Sequence, residues 1–127
     1  MIYISHPYGG NKSNLEAIEA IVMDLAAKDK ANVYVSPVHC FGWMYETVDY
    51  LHGLGMCIEL LSRCDRMLVY GDWMHSTGCR AEVDYCKAHG IPYVVHYGNA
   101  AWREDYSICH HNRIWNHVSQ CFKYDFH

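Results

Sequence analysis

Ser76 and Glu82, six positions apart, are the residues whose types and spacing most directly indicate chemistry. Ser76 lies where a helix is expected to begin, after a short apolar run, and Glu82 lies in the second turn of that helix. Six residues span about 9 Å of helix rise, and helical side chains tilt back towards the amino terminus. A phosphate held by Ser76 and the first helical amides would therefore lie about one sugar's width from the Glu82 carboxylate. Gly78, four positions before Glu82, would leave open space on the same helix face.

A purely structural interpretation of the same residues stays open. Ser76 could be only the cap of the helix, and Glu82 could be a solvated helix carboxylate. If the pair is functional, the helix amino terminus would lower the pKa of Glu82 and keep it ionised at neutral pH. Asp72, in the loop just before the helix, could then protonate a leaving group or activate water.

A second glycine-containing loop, residues 5–14, follows the first apolar run of the chain. The paired glycines Gly9 and Gly10 would let backbone amides approach an anion closely, with Ser5 beside them and a helix amino terminus after them. The pattern is neither GxGxxG nor a Walker loop. A glycine-rich turn before a capped helix is the alternative.

Aromatic side chains are frequent in the loops that would form this site. Stacking on a nucleobase, or hydrogen bonding to it, is possible for four residues: Tyr8, His39, Trp43 and Trp73. Each such residue taken alone more often serves packing than recognition. Four of them around one predicted pocket favour base binding.

The elements that would position these loops follow a βαβ pattern, in which short apolar runs alternate with amphipathic segments of helix length. Four runs are predicted to be buried strands: 2–5, 33–36, 66–70 and 91–95. The sequence therefore predicts a single domain over residues 1–127 with a Rossmann-like (flavodoxin-like) α/β three-layer sandwich. Its sheet should have four or five mostly parallel strands, with ligands bound at the strands' carboxyl ends.

Four helical segments are predicted between and after these strands. The first covers residues 14–29, with Ser13 as its cap, and the third runs from Thr77 to His89 and ends at Gly90. The second region, 46–64, contains Gly53 and Gly55, which predict a bend or two shorter helices. A final amphipathic helix is expected over residues 108–122.

Composition excludes several classes of function. The chain has 127 residues, 51% hydrophobic and 19% charged, which is typical of a folded globular domain. A net charge of -4 argues against binding a nucleic acid polymer or an anionic membrane, which would need a basic face. We find neither a secretory signal nor an apolar run long enough to cross a membrane.

The seven cysteines are best interpreted as reduced thiols of a cytoplasmic protein, since their number is odd and no framework pattern links them. No CxxC occurs, and the closest ligand cluster, Cys109-His110-His111, has side chains that diverge on a helix. We therefore expect neither a metal site nor a cofactor.

The motif Ser76-x-Gly78-x-x-x-Glu82, together with the run Cys64-Asp65-Arg66-Met67-Leu68-Val69 before it, resembles the nucleoside 2-deoxyribosyltransferase superfamily. The nearest branch is that of the nucleoside 5'-monophosphate N-glycosidases, whose phosphate loop is similar to Ser5…Gly9-Gly10. The resemblance covers roughly residues 1–98. It implies that Ser76 binds a 5'-phosphate and that Glu82 is the nucleophile at the anomeric carbon of the sugar.

The resemblance also implies a homo-oligomer, with a dimer as the expected form, because relatives complete each pocket with residues of a neighbouring subunit. The amphipathic segment 102–126 offers apolar surface for such a contact. One departure concerns an aspartate that family enzymes carry eight positions before Asp65, where this chain has Cys57. Two functions are therefore expected as alternatives: an N-glycosidase or deoxyribosyltransferase acting on a nucleotide or nucleoside, and a non-catalytic nucleotide sensor or sequestering protein.

Overall fold

The sheet places four parallel strands side by side. A computed structural model describes residues 1–97 and 103–104 of the chain. In it the strands are β1 (Ile2–Ser5), β2 (Tyr34–Val35), β3 (Arg66–Val69) and β4 (Tyr93–Tyr97), and the two-residue β5 (Arg103–Glu104) is antiparallel to β4. Their order across the sheet is β2-β1-β3-β4-β5. This is the flavodoxin-like order, so the predicted α/β fold class is confirmed.

Helices fill the connections between the parallel strands. They are α1 (Lys12–Lys28), α2 (Pro37–Phe41), α3 (Tyr50–Ser62) and α4 (Thr77–His89). Short 3-10 turns cover Gly42–Met44 and Trp73–His75. Right-handed crossovers place α1 on one face of the sheet and α3 and α4 together on the other.

The helix that carries Glu82 was predicted with its observed bounds. Its cap is Ser76, whose side chain accepts a hydrogen bond from the Cys79 amide, and it ends at Gly90, whose φ is 68°. In that left-handed region glycine avoids the strain that a Cβ would bring, so the helix stops there. Both ends of this helix could be predicted from the sequence because each is set by a single local residue, Ser76 at the start and Gly90 at the end.

Two local predictions were wrong, and one helix was missed. The cap of α1 is Asn11, which accepts from the amides of Ser13 and Asn14, so the helix starts before the predicted Ser13 cap. Helix α3 is continuous through Gly53 and Gly55, because the cost of each glycine in a helix is only about 1 kcal/mol and packing outweighs it. The short helix α2 was not predicted.

Strand β1 is buried on both faces, with all four of its residues at most 1% exposed. Successive side chains of a strand point to opposite faces, so Tyr3 and Ser5 share one face and Ile2 and Ile4 share the other. Tyr3 and Ser5 face α4, where both contact Glu82. The alternation in β1 therefore directs two hydroxyl groups into the layer between the sheet and α4.

The predicted helix over 108–122 and the segment 102–126, apart from residues 103–104, lie outside the described residues. The prediction of a homodimer, which depends on that segment, stays a prediction. Among the residues that the structure describes, no helix has the length and apolar character needed to span a membrane.

Leu68→Ala should destabilise the protein strongly, since Leu68 is fully buried in β3 at the centre of the sheet. We expect a loss of about 2–5 kcal/mol in the free energy of unfolding, measured by urea denaturation. Leu51→Ala is the matched control: Leu51 is 73% exposed on α3, and its loss should change that free energy by less than about 0.5 kcal/mol. Equal effects of the two substitutions would contradict the assigned core.

Candidate active site

The loops after β1 and β3 diverge at the carboxyl edge of the sheet, because the order of the strands reverses between these two neighbours. A pocket of about 370 Å³ opens at this crevice. Its walls come from the β1–α1 loop, from α2 and the turn after it, and from the amino-terminal parts of α3 and α4. The position agrees with the general rule for ligand sites in open parallel sheets.

Glu82 lies at the inner end of this pocket and is only 5% exposed. The Tyr3 hydroxyl donates a hydrogen bond to one carboxylate oxygen. The Ser5 hydroxyl donates to the other oxygen over 2.8 Å. Both oxygens are therefore held from the sheet side.

Burial raises the pKa of Glu82 to about 7, and the hydrogen bonds from Tyr3 and Ser5 act in the opposite direction. The expected lowering by the helix amino terminus is therefore wrong for this residue. Glu82 lies in the second turn of α4 and is enclosed by protein, so loss of water outweighs the helix dipole. At neutral pH the carboxyl group is therefore close to half ionised.

Two thiols, Cys57 of α3 and Cys79 of α4, also line the pocket. Burial, followed by the neighbouring charge of Glu82, raises the pKa of each thiol to about 11. Both are therefore neutral at physiological pH. Cys57 stands at the position that the family resemblance assigns to an aspartate, and a neutral thiol cannot supply that charge.

The amino terminus of α4 forms one wall of the pocket through Ser76, Thr77 and Gly78. The Ser76 hydroxyl accepts from the Cys79 amide over 3.2 Å, so it is a helix cap and also borders the cavity. A Cβ at Gly78 would lie 3.4 Å from the Tyr50 hydroxyl. Gly78 thus allows α4 to approach α3. The predicted open space above Gly78 is not found, because the Tyr50 hydroxyl occupies it.

The β1–α1 loop brings some of its predicted residues to the pocket. Tyr8 and Gly9 line it, whereas Gly10 packs on the ring of Tyr45 outside the lining, where a Cβ would be 3.3 Å from that ring. Both glycines have positive φ, 59° and 74°, which a residue with a side chain would adopt only with strain. Ser5 is fully buried and bonded to Glu82, so its predicted role as a phosphate ligand is wrong.

Four other predicted residues do not line the pocket: Asp72, His39, Trp43 and Trp73. The Asp72 side chain is 73% exposed and hydrogen bonds to His75 over 2.8 Å. Because a catalytic acid must reach its substrate, Asp72 is not positioned to act on a molecule beside Glu82.

The predicted base-binding residues outside the pocket have structural contacts of their own. His39 bridges Ser36 and Glu19 through its two ring nitrogens, at 2.8 and 2.9 Å. Trp43 is 79% exposed and donates to the Cys40 carbonyl, and Trp73 packs against the core. Of the aromatic residues predicted to contact a base, only Tyr8 borders the cavity.

Sequence reasoning missed residues from elements that it did not place at the site. Asp49 caps α3 and also lines the pocket. The rings of Phe41, Tyr45 and Tyr50 line the pocket too. Tyr3 could have been found from the alternation of β1, which puts it on the same face as Ser5. The others depend on α2 and on the path of the chain between β2 and α3, for which the sequence carries no periodic signal.

Within the described part of the chain, no three His, Cys, Asp or Glu side chains come close enough to hold a metal ion. The side chains that line the pocket include carboxylates, hydroxyl groups, thiols, imidazoles and aromatic rings. A buried carboxylate held in place by two hydroxyl donors, beside a cavity of ligand size, is suited to attack an electrophilic carbon.

Comparison with known proteins supports the fold and gives a family. The crystal structure of a conserved protein from Enterococcus faecalis V583 superposes with a TM-score of 0.63 at 15% identity, covering 96% of this chain and 73% of that one. At this identity the likeness concerns the fold alone. No curated protein matches the chain. A family model described as a domain of unknown function (DUF7768) matches residues 1–96, and the chain therefore belongs to the DUF7768 family.

Proposed function

We propose that this protein cleaves the N-glycosidic bond of a nucleoside or nucleotide, with Glu82 as the nucleophile. The observation that carries the proposal is the buried Glu82 carboxylate, which two hydroxyl donors fix at the inner end of a 370 Å³ pocket. Nucleosides fall within the range of ligands that pockets of this size accept. The resemblance of Ser76-x-Gly78-x-x-x-Glu82 to nucleoside 2-deoxyribosyltransferases supports the same chemistry.

In the proposed reaction, a Glu82 oxygen bonds to the anomeric carbon while the bond from that carbon to the base nitrogen breaks. The electron pair of the broken bond goes to the base, and the sugar passes through an oxocarbenium-like transition state. Hydrogen bonds from Tyr3 and Ser5 hold the carboxylate in position. Water then releases the sugar from Glu82, or a second base accepts it.

A neutral base needs a proton as it leaves, and Asp49 is the carboxylate placed to assist it. Asp49 and Glu82 are the two acidic residues among the described lining residues. We therefore assign to Asp49 the role of acid or base that the sequence had suggested for Asp72. Asp49 is exposed at the mouth of the pocket, so it can exchange protons with solvent.

The sugar and any phosphate would occupy the end of the pocket near α4. Ser76 and Gly78 lie there at a helix amino terminus, and Gly9 of the β1–α1 loop lines the same pocket. The base would lie towards Tyr8. We infer a cytoplasmic setting for this chemistry, in keeping with five free cysteines among the described residues.

Cys57 favours a second candidate function, a non-catalytic nucleotide-binding protein. Burial raises the pKa of the Cys57 thiol to about 11, so the thiol stays uncharged where family enzymes have an aspartate. A protein that had lost this charge could retain the pocket for sensing or sequestering a nucleotide. Release of free base from a panel of nucleosides and nucleotides separates the two functions.

Glu82→Gln should abolish base release while leaving ligand binding within about threefold, because the amide keeps the size of the side chain but removes the nucleophilic charge. Chromatography of free base after incubation with nucleosides and nucleoside monophosphates measures the first effect, and calorimetry measures the second. Turnover by Glu82→Gln equal to that of the wild type would refute the mechanism.

The free energy of unfolding of Glu82→Gln, compared with that of the wild type, is the control for misfolding. The folded pKa of Glu82, about 7, lies above its ordinary value of 4.5. Wild-type stability should therefore fall as pH rises from 4.5 through 7, since the folded state gives up a proton that it holds more tightly. At pH 8 Glu82→Gln should unfold with at least the free energy of the wild type, and a lower value would show that loss of activity reflects misfolding.

Ser76→Ala should weaken binding of a nucleoside 5'-monophosphate by about 1–2 kcal/mol and hardly change binding of the parent nucleoside. Ser76→Asp is the matched variant, because aspartate keeps the helix cap but repels a phosphate. Ser76→Asp should weaken binding of the monophosphate at least as much as Ser76→Ala does. If both variants reduce the affinities for nucleoside and nucleotide equally, Ser76 is a cap alone.

A further inference from the structure

The charged groups of the pocket are predominantly acidic. Glu82 and Asp49 line it, and none of the described lining residues is a lysine or arginine. Burial lowers the pKa of His6, which also lines the pocket, so that ring is neutral at pH 7. His75, another lining residue, is hydrogen bonded to the Asp72 carboxylate over 2.8 Å.

Aromatic rings line the same pocket as these two carboxylates. Tyr8 comes from the β1–α1 loop, Phe41 ends α2, Tyr45 follows the 3-10 turn and Tyr50 begins α3. The rings of Tyr8 and Tyr45 meet edge to face, with centroids 5.3 Å apart and an interplanar angle of 78°. The faces of such rings carry negative potential and attract cations with a delocalised charge.

We propose that the substrate is an N-riboside or N-deoxyriboside whose base carries a delocalised positive charge, as pyridinium and N-alkylated purine bases do. The inference deepens the proposed function and rests on it. Carboxylates and aromatic faces without a lysine or arginine form the usual environment for such a cation. A neutral base would gain little from this arrangement.

The chemistry of a cationic base fits the same residues. When its bond to the anomeric carbon breaks, the electron pair neutralises the nitrogen and the base leaves without needing a proton. The Glu82 carboxylate becomes a neutral ester as it bonds to that carbon. Water then bonds to the anomeric carbon, the ester bond breaks, Glu82 is restored as a carboxylate and one proton passes to solvent.

Affinity for matched pairs of ligands tests the inference. The Glu82→Gln variant cannot consume its ligand and keeps Asp49 and the aromatic rings, so the preference that it shows is the preference of those groups. It is titrated calorimetrically with 7-methylguanosine against guanosine, and with nicotinamide riboside against its neutral 1,4-dihydro form. Each cation should bind at least about tenfold more tightly than its neutral partner. Equal affinities, or tighter binding of the neutral partners, would overturn the inference.

Two tyrosine variants separate ring electrostatics from shape. Tyr45→Phe keeps the ring and should retain the preference for the cation, whereas Tyr45→Leu should reduce that preference by about fivefold. Tyr45 is 41% exposed, so neither change should prevent folding. A preference that survives in Tyr45→Leu would contradict the assigned role of the ring.

Failure of this inference is distinguishable from failure of the proposed function. Glu82-dependent release of base from neutral nucleosides by the wild type, with no cation preference in binding, would overturn the inference and leave N-glycosidic cleavage standing. Selective binding of the cations without release of base from any nucleoside would instead overturn the proposed catalytic function and leave a cation-binding pocket.

Discussion

The carboxylate of Glu82 is the group on which the arrangement of this site depends. Removing a carboxylate from water costs several kcal/mol unless donors replace the lost hydration. Tyr3 and Ser5 provide two such donors from one face of β1. Because successive residues of a strand point to opposite faces, a shift of β1 by one residue would turn both hydroxyl groups away from α4 and from this carboxylate. The parallel sheet, the position of α4 and the chemical state of Glu82 are therefore coupled.

The hydrogen bonds to Glu82 offset only part of the cost of removing its carboxylate from water, and this sets the chemical character of the site. Full compensation would hold the carboxyl group ionised with a low pKa, and no compensation would leave it neutral. Burial with two donors instead puts its pKa at about 7. A carboxylate in that range retains nucleophilic charge at physiological pH, and its neutral neighbours Cys57 and Cys79 add no competing charge.

The sequence predicted the fold class and most of the secondary structure, for identifiable reasons. The four strands and the bounds of α4 follow from apolar runs and from single capping residues, Ser76 and Gly90. Glu82 was predicted because its spacing from the start of α4 is local information. The rest of the pocket was harder to predict: α2 is short, and the contacts of Asp49 and Tyr45 depend on how the chain folds between β2 and α3.

Two mistaken assignments share a physical cause. Phosphate binding by Ser5 and a lowered pKa for Glu82 follow only when each residue is considered within its own loop or helix. Their mutual hydrogen bond joins residues 77 positions apart and can be seen only in three dimensions. Asp72 lies in the loop after β3, as expected, but its side chain is exposed and hydrogen bonds to His75.

The most direct test of this account is the titration of the Glu82 side-chain carboxyl carbon by NMR, with the signal assigned from Glu82→Gln. A buried group held by Tyr3 and Ser5 should titrate with a pKa of about 7, against 4.5 for an ordinary glutamate. In Tyr3→Phe the pKa should rise further, since that substitution removes a donor to the ionised form. A wild-type pKa near 4.5 that is unchanged in Tyr3→Phe would contradict the buried, hydroxyl-held carboxylate from which the function is derived.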